Sequence, residues 1–491
     1  MNYFCPMLFK RLLLILIIFI FSHLVTAQEK WSLLKCVEYA MQNNISVQQN
    51  EVQEKLAAIT YKQSKLSQYP TANFSNNDGY SLGRSQNPST NIRESQNFLT
   101  VGMNFQTNAD IFNWYSKQNT ILANQWEEAA VKAATEKLKN DIALTVANAY
   151  LQVLLAIEQK KIAEVQVQQS GAQLNIVRKQ VNAGALPELN AFELEAQLAR
   201  DSANLISATG NIEQTKLVLK AYMNIDAGVP FEIEEPSADQ IPLENIADLQ
   251  PESVYALAIA NLPQQRVNEF KIKAAQSNSL AARGALYPTI SLYGALGTNY
   301  GYTRIPVYEQ ILSGYSPTGL VTTDGNGNIV DAQLQIPQFV NGKRQRYITT
   351  DGFGKQLSDN FSQSFGINLS VPIFNGWAAK ANYARSKLNI STLELQKDLD
   401  NKTIKQDIYQ AYNSAIVALE KFNSSRKSVE AAQRSFDFST KRFNIGMLST
   451  LELTTNQNNL FRAKLEYVLN QFDYVFKMKV LEFYKGQGLK L

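Results

Sequence analysis

The residues able to do acid–base, nucleophilic or metal chemistry are few here. His23 is the only histidine among 491 residues. It lies in a segment, residues 1–27, that reads as a signal peptide. Lys10-Arg11 gives the basic start, Leu12 to Phe21 is unbroken apolar, and Val25-Thr26-Ala27 offers small residues before a cut at Gln28. The apolar run is about half the ~20 residues that a spanning anchor needs. Cleavage also removes Cys5, so Cys36 is the one mature cysteine and no intrachain disulfide can form. Without histidine there is no imidazole general base, no Ser-His-Asp triad and no histidine zinc site. The expectation is a protein that is not an enzyme and needs no cofactor or metal.

Two further motifs carry polar chemistry. Asp324-Gly325-Asn326-Gly327-Asn328 gathers carboxylate and amide oxygens. It lacks the alternating acidic ligands and distal glutamate of a calcium loop and reads as a turn. Lys343-Arg344-Gln345-Arg346 is a short basic run that reads as a solvated loop. The formal net charge is +4 and falls to +2 once Lys10 and Arg11 leave, too little to imply a nucleic-acid partner. Cys36, on an amphipathic helix, reads as a small packed hydrophobe.

With 45% hydrophobic and 18% charged residues the chain must fold, so the question becomes what it builds. Internal matches answer it. Tyr69-Pro70-Thr71 recurs as Tyr287-Pro288-Thr289, 218 residues later. Val101-Gly102-Met103-Asn104-Phe105 recurs as Phe365-Gly366-Ile367-Asn368-Leu369, at an offset of 264. Ile111-Phe112-Asn113, Ala149-Tyr150 and Asn182-Ala183-Gly184-Ala185-Leu186 recur at 262, the last as Asn444-Ile445-Gly446-Met447-Leu448. Five ordered matches imply a duplication, with about 46 extra residues in the second copy between Tyr302 and Phe361.

The first repeat is placed at 28–223 and the second at 252–491, joined by a linker, 224–251, rich in proline and acidic residues. Each repeat opens with two helices. A strand hairpin follows, at 71–110 and at 289–374, the second carrying a long loop over 303–360. Leu99, Val101, Met103 and Phe105 alternate with polar residues, as do Phe365, Ile367 and Leu369. One apolar and one polar face suit a membrane barrel with a wet lumen. Long helical hairpins come next, at 115–222 and 377–484, with near-heptad apolar spacing as in Ile142, Val146, Ala149, Val153 and Ala156. Rods of roughly 67 residues at ~1.5 Å each would span about 100 Å, and Gly184 and Gly446 end them. No mature stretch has ~18 consecutive apolar residues, so any membrane crossing is by strands. Four strands cannot close a membrane barrel, whose smallest bacterial forms have about eight, and open edges in lipid cost several kcal/mol per unpaired group. Several chains must then close one barrel.

The duplicated hairpins, the Tyr-Pro pairs entering strands, Phe374-Asn375-Gly376-Trp377 leaving one, and the glycine-marked helical turns together resemble the TolC family of outer-membrane factors, over Gln28 to Lys485. The resemblance implies a mainly α protein with a membrane β-barrel portion. It implies a homotrimer with a 12-stranded barrel in outer-membrane lipid, above an α-helical coiled-coil tunnel in the periplasm. It also implies a passive duct that serves a tripartite efflux or type I secretion system. The partners would be a periplasmic adaptor protein and an inner-membrane RND or ABC transporter, the cargo small molecules or proteins. At the family's periplasmic tip, two acidic positions of the constriction match Glu452 and Thr455, the second no longer acidic. Closing contacts of the family match Asn190, Phe443 and Leu448, none of them charged. The turns at Gly184 and Gly446 are the expected adaptor contacts. The rival reading is a periplasmic coiled-coil scaffold or adaptor with no barrel of its own.

Overall fold

A single extended residue breaks each opening helix pair. Asn44 separates α1 (Leu33–Asn43) from α2 (Ile45–Leu66). Later Leu262 separates α5 (Pro251–Asn261) from α6 (Pro263–Gly284), where Pro263 cannot donate to the helix before it. The intervening order is β1 (Thr71–Ser81), β2 (Arg84–Gln86), β3 (Arg93–Ser95), β4 (Phe98–Phe112), α3 (Ser116–Asn182) and α4 (Leu189–Met223). After α6 come β5 (Thr289–Tyr302), β6 (Arg304–Pro317), β7 (Val321–Thr323), β8 (Ile329–Asp331), β9 (Gln335–Thr349), α7 (Phe353–Asp359), β10 (Ser362–Ser370), α8 (Ala378–Asn444) and α9 (Thr450–Phe483). The structure, a computed structural model, describes residues 30–86, 93–95, 97–236, 241–302, 304–332 and 334–486. The expected signal peptide lies outside the described residues. Helices α3 and α8 each run for 67 residues, and the fold is mainly α with a separate sheet.

Two units divide the chain. One holds the helical residues up to Lys62, Ile121–Ser279 and from Ala384 onward; the other holds Gln63–Thr120 and Leu280–Tyr383. In the helical unit, Cys36, Val37 and Ala40 of α1 pack on Val146, Tyr150, Val153 and Leu154 of α3 and on Leu219 and Met223 of α4. Val254 and Ala258 of α5 meet Ile408, Ala411 and Ala415 of α8 in a second cluster. Burial pushes the Cys36 thiol up to about 12. Helix α3 does contain a stretch apolar enough to cross a bilayer, but half of that stretch is buried in the fold. Its apolarity is used in packing.

The stretch read as a linker is fastened down. Lys220 donates to the carbonyls of Ala227 at 2.6 Å and Val229 at 2.7 Å. Lys479 donates to Pro242 O at 2.6 Å and pairs with Glu482 at 2.9 Å, the two side chains only 4% and 3% exposed. Glu482 in turn accepts from the backbone N of Glu244. Buried lysines prefer such dense oxygen company.

In the second unit, the four long strands form one antiparallel sheet of order β1-β4-β5-β10. Strand β4 pairs with β1 (Phe105 opposite Phe74) and with β5 (Phe105 opposite Leu296). Strand β10 pairs with β5, Ile367 opposite Leu292. One face therefore carries Phe74, Leu99, Val101, Met103, Phe105, Leu292, Leu296, Phe365 and Ile367, with Phe365 89% exposed. The other carries Ser75, Asn77, Thr100, Asn104, Gln106, Asn299, Ser364 and Asn368. Strand β10 ends at Ser370 rather than continuing to Phe374, because Pro372 has no N–H for the ladder.

The region expected as a long loop is a paired ribbon. Strands β6 and β9 are antiparallel with three register shifts, and β7 and β8 pair beyond them. Asp324 Oδ1 accepts from the backbone N of Asn326 at 3.0 Å and of Asn328 at 2.8 Å, and Gly327 takes φ 84°, so the acidic motif is a turn. Asn341-Gly342, a residue pair common in tight turns, lies inside β9. There the register slips between the pairs Tyr308–Arg344 and Gln310–Asn341, which places a bulge at Gly342, and a Cβ on that glycine would sit 2.5 Å from Ile311 Cδ1.

Candidate functional site: the helical turns at Gly184 and Gly446

Both long helices stop in the same way. Gly184 has φ 74° and Gly446 φ 75°. Gly184 N donates to Val181 O at 2.9 Å and Ala185 N to Gln180 O at 2.8 Å. Gly446 N donates to Phe443 O at 2.9 Å and Met447 N to Arg442 O at 2.8 Å. These paired bonds close the last helical carbonyls around a left-handed residue, a conformation glycine takes without a Cβ penalty. Nothing lies within 4 Å of a Cβ placed on either glycine, so both turns are bare.

The return helices start differently. Helix α4 follows Glu188, which makes no side-chain cap. Helix α9 has a full capping box: Ser449 Oγ accepts from Glu452 N at 3.2 Å, and Glu452 Oε2 accepts from Ser449 N at 3.4 Å. Glu452 is therefore tied to its own helix end. It remains exposed, as does Thr455 one turn on, whose hydroxyl donates to Leu451 O at 2.7 Å. The two residues share one outward stripe of α9, while Leu453, Thr454, Gln457 and Leu460 face inward.

The other expected residues separate. Phe443 is 8% exposed and packs with Leu174, Val177, Leu194 and Leu453, and Leu448 covers the edge of this cluster. Asn190 sits half-buried in the first turn of α4, its backbone N bonded to Pro187 O at 3.1 Å. The cluster draws on all four long helices, so Phe443 is a core residue of the helical unit. The neutral side chains at Asn190, Phe443 and Leu448 cannot form an ion pair with one another.

Charge and polarity near the turns appear elsewhere. The Arg178 guanidinium pairs with Glu195 across the first hairpin. Deeper in, Asp201 is 2% exposed and accepts from Ser170 Oγ, from Gln197 Nε2 at 2.9 Å and from Gln166 Nε2 at 3.5 Å. Gln457 of α9 donates to Ser170 Oγ at 3.0 Å, and Gln197 exchanges bonds with Asn458. One buried carboxylate thus ties α3, α4 and α9 together. Sequence reasoning passed over it. The available signal was an aspartate seven residues beyond Leu194, on the apolar stripe of α4. Among the described residues no group of three His, Cys, Asp or Glu side chains could hold a metal ion.

Comparison with known proteins supplies an independent frame. The sequence profile described as "Outer membrane efflux protein" matches residues 36–224 and 254–477. The outer membrane efflux protein BepC of Brucella suis is 22% identical over 81% of this chain and 73% of its own. The outer membrane protein TolC of Salmonella enteritidis is 20% identical over 96% and 87%. The crystal structure of CusC superposes with a TM-score of 0.72 over 93% of this chain and 92% of that one, at 15% identity, a likeness of fold.

Proposed function

The chain belongs to the outer membrane efflux protein family, and from that premise we propose that three copies assemble into a passive duct. The protein is an outer-membrane channel component of tripartite efflux and secretion systems, with its helical part in the periplasm. The observation that carries the trimer is the sheet. It has four strands, and its outer strands β1 and β10 each pair on one side only. Unpaired edges in lipid cost several kcal/mol per group, so the edges must meet those of other copies. Three sheets close a 12-stranded barrel, with the apolar face toward lipid and the Asn, Ser, Thr and Gln face toward water.

Below that barrel the helical hairpins would form the tunnel wall. The bare turns at Gly184 and Gly446 suit close approach by the helical hairpin of a periplasmic adaptor, which links the duct to an inner-membrane RND or ABC transporter. Glu452 and Thr455, on the exposed stripe beside the second turn, are placed to face the axis. Three carboxylates there would favour cations. The duct does no chemistry; the pump selects the cargo, small molecules or proteins.

Conductance tests this reading. Purified protein added to a planar bilayer should insert as long-lived channels of uniform size. Protein that reaches the bilayer as trimers and conducts nothing would contradict it.

A further inference from the structure

Four helices lie in the same order as the four long strands to which the chain connects them. Lys139 of α3 pairs with Glu51 of α2 at 3.0 Å. On the other side of α3, Trp126 stacks on Phe270 of α6 with ring centroids 5.6 Å apart, and Lys273 Nζ stands 4.7 Å from the Trp126 ring centroid. Helix α6 in turn meets α8, where Gln264 and Asn268 donate to Asp400 and Gln265 donates to Asn401. The row of helices is α2-α3-α6-α8, and the sheet is β1-β4-β5-β10. Helices α2 and α8 stand at the ends of their row, as β1 and β10 stand at the edges of the sheet.

The duplication maps this row onto itself. Helix α6 is the counterpart of α2 at the 218-residue offset. Each has 22 residues, and Asn50-Glu51, Lys55 and Ala57 recur as Asn268-Glu269, Lys273 and Ala275. Helix α8 is the counterpart of α3 at the 262-residue offset, and each has 67 residues. Val52 therefore corresponds to Phe270, and Leu388 to Trp126. The face of α6 that meets α3 carries Pro263 and Ala274, both buried, at helical spacing from Phe270. Their counterparts Ile45 and Leu56 lie with Val52 on one exposed stripe of α2. The facing side of α3 carries buried Ala130 and Ala133 beside Trp126. Their counterparts on α8 are Thr392 and Leu395 beside Leu388, and both leucines are 69% exposed. Ser386, Asp400 and Asn401 turn toward α6, so the two leucines lie on the side of α8 away from it.

We propose that α8 of one copy packs antiparallel against α2 of the next, with Leu388 on Val52 and Leu395 on Ile45, repeating between copies the seam that α3 makes with α6 within one chain. This rests on the reading that several copies share one barrel. The register comes from the seam already formed. Trp126 opposite Phe270 sets Leu388 opposite Val52, and seven residues on in an antiparallel pair Leu395 falls opposite Ile45. The occupant is a second copy of this chain. Joining β10 of one sheet to β1 of the next carries α8, which follows β10, to α2, which leads into β1, as paired β4 and β5 join α3 and α6. The two seams differ in bulk. Ala130, Ala133 and Ala274 within the chain become Thr392, Leu395 and Leu56 between copies, so the seam between copies sets its helix axes farther apart.

The test is a set of cysteine pairs. Leu388→Cys with Val52→Cys, in a Cys36→Ala background, is treated in isolated outer membranes with a short bifunctional maleimide. Dimer and trimer bands should appear, as they should for Leu395→Cys with Ile45→Cys. Leu388→Cys with Ile59→Cys, seven residues or about 10 Å out of register, should link far less. Trp126→Cys with Phe270→Cys should link within one chain and give no larger band. Because the substitutions could weaken assembly, heat dissociation of the multimer is read in parallel. Leu388→Ala and Val52→Ala should each lower the midpoint, and the double variant should lower it by less than the two losses combined. Leu388→Ala with Ile206→Ala, on the exposed side of α4, should be additive. A multimer that links neither in-register pair, links the out-of-register pair as readily, or shows additive losses for Leu388 and Val52, overturns the contact while leaving the shared barrel intact. A wild-type chain that never forms a multimer overturns the shared barrel, and the contact with it.

Discussion

Glu452 and Ser449 hold each other from both sides: Ser449 Oγ accepts from Glu452 N at 3.2 Å, and Glu452 Oε2 accepts from Ser449 N at 3.4 Å. The carboxylate is thereby kept at the start of α9, where the positive end of the helix dipole favours it. In the proposed duct the same carboxylate faces the axis. Its two roles can be separated, because glutamine also completes a capping box.

Glu452→Gln should keep the helix end and lose the charge. In planar bilayers it should reduce cation preference at low salt, where screening is least. Ser449→Ala should do the reverse, destabilising the helix end by about 0.5–2 kcal/mol and leaving ion preference unchanged. Hydrogen exchange in the first turn of α9 reads the cap, and reversal potentials read the charge. Equal ion preference in wild type and Glu452→Gln would place the residue away from the axis.

Asp201 should be a stability residue of the helical unit. Its carboxylate satisfies buried donors on Ser170, Gln197 and Gln166. Asp201→Asn sets an NH2 against those donors and should cost about 1–3 kcal/mol. Ser207→Ala, on the exposed side of α4, should change unfolding by less than about 0.5 kcal/mol. Denaturant unfolding in detergent compares them; equal midpoints would show the network contributes nothing.

At Gly446, φ 75° separates backbone strain from surface contact. Valine should cost about 1–2 kcal/mol through its Cβ, whereas asparagine tolerates the left-handed region. Gly184→Asn with Gly446→Asn should therefore leave assembly intact while its added bulk reduces export. Full export, measured as drug resistance or cargo release, would remove these turns as adaptor contacts.

The β6–β9 ribbon should lie outside the cell. It joins β5 to β10 at the end of the sheet away from the strand-to-helix junctions. Lys343 and Arg346 are exposed on it, and trypsin added to whole cells should cut there. Cutting only after the outer membrane is opened would invert the topology.

Much of the fold was legible because it repeats. The Asn-x-Gly turns, the Tyr-Pro pairs and the alternation from Leu99 to Phe105 each occur twice or carry their own period, so the helices, turns and barrel strands could be read from residue types. The ribbon had no second copy to compare with, and its three register shifts break the alternation that would have announced strands. The site was less legible. Glu452 lies three residues after Ser449, so the capping box was legible from spacing alone, whereas its place at the tip rests on its match to a position of the family. Phe443 matches a closing contact of the family by position; its burial depends on Leu174, Leu194 and Leu453, which come from three other helices and give no local signal. Asp201 was hidden because its partners Ser170 and Gln457 are far away in sequence, and neutral residues do not signal a buried charge.

The shared barrel is the claim on which the rest stands, and counting chains tests it most directly. Native mass spectrometry of the full protein, extracted gently from outer membranes, should give three times the mass of the mature chain. The same species should be seen when the ribbon has been clipped at Lys343, since the strands and helices hold the copies together. A conducting single chain, or a complex with any other number of copies, would contradict the account.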